Sequence, residues 1–151
     1  MLHYYKLFWL NAFNIHGRSR RKEFWYPILA TIIITMLGNL LITVLPIPEL
    51  ITVIVSSIFN IATFIASISV TSRRFHDLNM TMIFPTITYA LTFILNILYS
   101  LFKDSVTSTS MTVLYAVLLI ICLFLNLAIL IMACGDGHKA PNKYGKSPKY
   151  V

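Results

Sequence analysis

Four times along this chain the charged residues stop. From Phe24 to Leu45, Leu50 to Val70, Met82 to Phe102 and Met111 to Ala133 there is no Asp, Glu, Lys, Arg or His. Each stretch is 21 to 23 residues long, and at about 1.5 Å per helical residue each crosses a hydrocarbon core of about 30 Å. The pattern predicts four transmembrane helices. The "PIPE" turn at 46–49 is short enough to make spans one and two antiparallel neighbours, and "KDSVTSTS" at 103–110 joins spans three and four. Such loops leave no room for an external domain. The expectation is an all-α fold, a four-helix transmembrane bundle forming a single integral membrane domain over residues 1–151, with a tail at 134–151. A secretory signal has a shorter apolar core and a small-residue cleavage site, whereas the first stretch is long and ends at "LPIPE", so it is expected to be retained.

Composition agrees: of 151 residues 58% are hydrophobic and only 11% charged, with a mean hydropathy of +0.79, too apolar for a soluble domain. Charge sets the orientation. Of twelve basic residues, Lys6, Arg18, Arg20, Arg21 and Lys22 precede span one, Arg73 and Arg74 follow span two, and Lys139, Lys143, Lys146 and Lys149 follow span four. Lys103 alone lies on the other side. By the positive-inside rule both termini and the 71–81 loop are expected to face the cytoplasm. The net charge of +7 and pI near 9.6 therefore point to anionic lipid headgroups, worth about 1 kcal/mol per juxtamembrane cation, and not to nucleic acid. Cys122 and Cys134 fall on one helix about 18 Å apart and are expected to stay unbridged, with no cofactor or metal signature around them.

Before the first span, Tyr4, Tyr5, Phe8, Trp9 and Phe13 with little charge suit a short interfacial helix over residues 2–15, which Gly17 breaks ahead of "RSRRKE". Each span carries one asparagine: Asn39, Asn60, Asn96 and Asn126. An amide in hydrocarbon needs a partner, so these are expected to face neighbouring helices, as glue worth roughly 0.6–2 kcal/mol each. A hydrophilic path is the alternative reading, although no ionisable group lies in the spans to couple it.

Three polar segments map to one end of the bundle: "GRSRRKEFW" at 17–25, "SRRFHDLN" at 72–79 and "GDGHKAPNKYG" at 135–145. If span two stays helical past Val70, Arg73 and Asp77 are one turn apart and can pair, with Arg74 pointing elsewhere. At "CGDG", Gly135 can take a left-handed cap conformation and Asp-Gly a turn. The three segments closely resemble the signatures of the YhaH-like bacterial inner-membrane family, domain of unknown function 805, from about Phe13 to Pro148. That family has a GRxxRxxFW element entering span one, an RRxHD element after span two and a GxNxYG element after the last span. Its signature positions fall here on Gly17, Arg18, Arg21, Phe24 and Trp25, on Arg73, Arg74, His76 and Asp77, and on Asn142, Tyr144 and Gly145. The chain departs from the family in having "LNMTM" where a small-residue and tryptophan segment usually follows, and Ala140 where Gly is favoured. The resemblance implies a bacterial plasma (inner) membrane location and this architecture, and it supplies no activity.

As chemistry, His76 could serve as a general base with Asp77 or Asp136, and Arg18, Arg21, Arg73 and Arg74 could clamp a phosphate. Against an enzyme stand the lack of a metal-ligand spacing, a nucleophile triad or a Gly-rich phosphate loop. The expectation is a non-catalytic membrane module in which Arg18, Arg21, Arg73, Arg74, His76, Asp77, Asn142 and Tyr144 form a polar cluster that binds anionic lipid or a membrane partner, a second copy included. Gly17, Phe24, Trp25 and Gly145 would be structural. The alternative is an enzyme or small carrier acting on a lipid-linked or small anionic substrate.

Overall fold

The computed structural model describes residues 1–102 and 109–148; the loop around Lys103 and the end of the tail with Lys149 lie outside the described residues. The described residues form five helices: α1 Leu2–Leu10, α2 Arg21–Val44, α3 Glu49–Asp77, α4 Ile83–Phe102 and α5 Thr109–Ala133. Helices α2 to α5 are all long and apolar enough to cross a membrane. The fold is the expected all-α bundle.

The bundle is built around α3, which packs against each of the other four helices. At its start Pro48 offers its carbonyl to Ile51 and Thr52 N–H groups at 3.0 and 3.2 Å. The helix stops at Asp77 because Asn79 takes a left-handed φ of 61°. Asn79 N–H then donates to His76 O at 3.1 Å and Met80 N–H to Phe75 O at 2.9 Å, the bond pattern of a Schellman cap. Helix α1 is shorter than expected. It ends where the Asn11 side-chain amide folds back onto Leu7 O at 3.0 Å, so residues 11–15 are not helical.

Burial runs opposite to that of a soluble protein. Mid-span apolar residues such as Ile34, Ile58 and Ile121 are exposed, as expected where lipid replaces water. The packed apolar core sits at the basic end, where Phe8, Ala12, Phe24, Ala66, Val70 and Ala133 meet. Helix α1 is held there by Phe8 and by Tyr4, whose ring stacks on Tyr26 at 5.4 Å between centroids. The longest buried run of all is polar: every residue from Ser69 to Asp77 is buried.

The asparagines do not all face neighbours. Asn126 reaches across to Thr92 Oγ1 at 3.1 Å, whereas Asn96 bonds Thr92 O in its own helix at 2.7 Å. Asn60, though exposed, lines a groove together with Thr92, Asn96 and Asn126, whereas Asn39 on α2 is exposed and lies outside that groove. A uniformly apolar helix has no stripe to fix its rotation, so its lone amide can point outward. Cys122 is buried and Cys134 exposed, both as free thiols.

Candidate functional site

Asp77, in the last turn of α3, is the centre of the polar end. Its Oδ1 accepts from Arg18 Nε at 2.9 Å and its Oδ2 from Arg74 Nη1 at 2.6 Å. All three side chains are at most 6% exposed. Two guanidinium groups on one carboxylate leave a positive excess in a dry site, which would be unstable unless the remaining N–H donors were satisfied.

Backbone carbonyls of the described residues take six of the eight donors that remain. Arg18 Nη1 donates to Ala140 O at 3.1 Å and Gly145 O at 3.2 Å, and Nη2 donates to His138 O. Arg74 Nε donates to Ala133 O at 3.1 Å, Nη1 also to Ser19 O at 3.3 Å, and Nη2 to Gly135 O. Four segments far apart in sequence are thus tied to one carboxylate: the 17–19 stretch, the end of α3, the end of α5 and the tail. His138 N–H adds a bond to Asp77 O at 2.8 Å.

The pairing differs from the expectation that Arg73 would meet Asp77. Residues three and four apart are both helical neighbours, and here Arg74 and Asp77 share the side of α3 that faces the end of α5. Arg73 lies on the other side. Its Nε donates to Ser69 O at 3.3 Å, its carbonyl accepts from Ser19 N–H at 3.1 Å, and its charge interacts with Glu23 in the first turn of α2.

His76 Nδ1 lies 3.2 Å from Gly17 O, and its ring stacks on Tyr144 at 3.7 Å and 9°. Asn142 holds that stack from behind. Its Nδ2 donates to His76 O at 2.9 Å and its Oδ1 accepts from Tyr144 N–H at 2.9 Å. Reciprocal main-chain bonds of 3.1 and 3.0 Å between Asn142 and Gly145 close the "NKYG" turn. Gly17 and Gly145 have φ of 84° and 124°, a region closed to most side chains, and each supplies a carbonyl to the network. Phe24 is fully buried, with Trp25 edge-on to it at 5.3 Å.

His76 lies beyond Val70, outside the apolar span. Burial lowers its pKa from the ordinary value of 6.5; the bond to Gly17 O acts in the opposite sense, and the positive charges of His16 and Lys143 lower it further. The neutral ring is the form the fold favours. Among the described residues it bonds no carboxylate, since Asp77 is occupied by the arginines, so the His76–Asp77 base arrangement is not formed. Among the described residues no three His, Cys, Asp or Glu side chains gather as metal ligands.

Arg21 behaves differently from Arg18 and Arg74. It is half-exposed, donates to Gly135 O at 3.0 Å and pairs with the exposed Asp136 at 3.0 Å. Together with the exposed Arg20 and Lys22 it lines a cavity of about 320 Å³ that Tyr4, Asp136 and Ser147 also border, with the buried Arg74–Asp77 pair at its floor. A second cavity, of about 400 Å³, lies beside His76 and Tyr144, with His16 and Lys143 on its wall.

Sequence reasoning missed three contributors: Ser19, whose main chain bonds both arginines of "SRRFHD"; Asn79, whose left-handed conformation ends α3; and Gly137. Gly135, the expected left-handed cap, is not among the residues with positive φ. The glycine need lies at Gly137, which passes directly over Asp77. The signal was the second glycine of "GDG".

No curated protein and no solved structure matches the chain. The family model described as protein of unknown function, DUF805, matches residues 12–146, a range that contains every side chain tied to Asp77, and the chain therefore belongs to that family.

Proposed function

We propose that the protein is a non-catalytic module of the bacterial inner membrane, with both termini cytoplasmic, that binds anionic lipid headgroups at the basic end of its bundle. One observation carries this reading: the arginines divide into two sets. Arg18 and Arg74 each give four of their five N–H donors to Asp77 and to carbonyls, and both are buried. Arg20, Arg21 and Lys22 stand at the surface around a cavity in which four cations oppose two carboxylates, Asp77 and Asp136.

That cavity has the chemistry of a phosphate-bearing headgroup site. Arg21 and Lys22 occupy the first turn of α2, where the positive end of the helix dipole reinforces them, and Tyr4 of α1 gives the rim an aromatic face suited to the interface. The buried knot then acts as the scaffold that fixes the tail beside this site. Catalysis finds less support, because His76 has a backbone carbonyl and a tyrosine ring around it and no acid partner.

Native mass spectrometry of the full chain released from mild detergent, loaded with phosphatidylglycerol or with phosphatidylcholine, tests the reading. Preferential retention of phosphatidylglycerol, lost in Arg20→Gln/Lys22→Gln and kept in Asn39→Leu, supports it. Equal retention of both lipids sinks it, and a stable dimer with no bound lipid points to a second copy as the partner instead.

A further inference from the structure

From the middle of the spans toward the core at the basic end, α3, α4 and α5, with Ile28 of α2, line a groove of about 760 Å³. Asn60, Thr63 and Ser67 of α3, Thr92 and Asn96 of α4, and Asn126 of α5 line it, and no Asp, Glu, Lys, Arg or His does. The helical spacing of 60, 63 and 67, and of 92 and 96, puts these groups on facing sides of α3 and α4. Stacked Phe64 and Phe93 rings, 4.3 Å apart, form part of its wall. We infer that this groove binds an uncharged lipid whose polar part is ester, ketone or hydroxyl oxygen.

The polar groups are not used up within the fold. Thr63 Oγ1 is buried without a hydrogen-bond partner among the described residues, and Asn60 makes no side-chain bond to a described residue while lying exposed at the middle of its span. In hydrocarbon no water is present to satisfy an amide, so the exposed Asn60 amide beside the unpartnered Thr63 hydroxyl is retained against a cost unless something occupies the groove. The occupant must reach the bilayer midplane, which excludes a charged headgroup. It must offer oxygen acceptors, because the Asn60 amide and the Thr63 hydroxyl present donors. The volume lies within the range of small-molecule sites. Diacylglycerols and lipid-soluble quinones share the required chemistry.

The full chain in nanodiscs is photolabelled with two neutral probes, a diazirine-bearing diacylglycerol and a diazirine-bearing alkyl quinone, and with a phosphatidylglycerol carrying the same chain; labelled peptides are then mapped. Enrichment of at least one neutral probe over the charged one on residues 57–67 and 89–100 is expected, and which probe responds identifies the source. Asn60→Leu should lower that labelling about tenfold, the loss of one desolvated hydrogen bond, with no fall in thermal stability; Thr63→Val serves if Asn60→Leu does not fold. Equal labelling by neutral and charged probes, labelling unmoved by both substitutions, or cross-links joining two copies through this face would each overturn the inference. Phosphatidylglycerol labelling at the first turn of α2 reports on the headgroup site alone, so the two proposals fail separately.

Discussion

Gly137 lies against the carboxylate of Asp77 so closely that a Cβ added to it would stand 2.6 Å from Asp77 Cγ. The tail can therefore cross the arginine knot only as glycine at this point, because the Asp77 carboxylate it meets is held in place by Arg18 and Arg74. His138, the next residue, uses the approach to bond Asp77 O. Gly137→Ala should displace the 136–140 segment and cost about 2 kcal/mol through overpacking. Thermal unfolding in detergent would register the loss, and limited proteolysis should show earlier cleavage after Lys139.

The two ion-paired aspartates should respond very differently to neutralisation. Asp77, 6% exposed, balances two buried guanidinium groups, and Asp77→Asn leaves them uncompensated, a change worth about 3–5 kcal/mol. Asp136, 76% exposed, meets Arg21 in solvent, where a pair is worth about 0–1 kcal/mol. Equal effects of Asp77→Asn and Asp136→Asn on the unfolding midpoint would contradict the division of the arginines into buried and surface sets.

Asn79 ends α3 in the left-handed region, and the chain direction from α3 into α4 depends on it. Asn79→Ala should cost about 1 kcal/mol, while Asn79→Gly should be neutral or slightly stabilising. A matched pair of melting curves decides this. If both substitutions have the same effect, conformational strain at position 79 is not what shapes the turn.

The elements were legible in the sequence because hydrocarbon demands long uninterrupted apolar runs, and nothing else in a chain looks like them. The rotation of the first span was not, for the same reason: Phe24–Leu45 offers no polar stripe to say which side faces in, so the outward placement of Asn39 had no signal. At the polar end the chemistry was legible and the partnership was not. "RRFHD" places arginines three and four residues before Asp77, both within reach, and only the position of the α5 end selects Arg74. Arg18, the second partner, is 59 positions away from Asp77, beyond any local rule. The cap expected at Gly135 failed because α5 ends without a left-handed residue, and the tail's need for glycine arises two positions later from a contact with α3.

His76 makes the knot sensitive to acid. Its pKa is lowered by burial first, with His16 and Lys143 adding to the effect and the Gly17 carbonyl opposing it. The unfolded chain takes up a proton near the ordinary value of 6.5, and the folded chain does so only at lower pH. Between those two values the unfolded state binds more protons, so stability is complete above about 6.5 and declines as pH falls below it. Protonation would also place a positive ring beside Lys143, which sits 5.0 Å over Tyr144, and strain the stack that holds the "NKYG" turn. Unfolding midpoints compared at about pH 7.5 and pH 5.5 should therefore drop in the wild type and drop less in His76→Phe, which keeps the stacking surface and removes the titration. An identical drop in both would assign the acid sensitivity to another group.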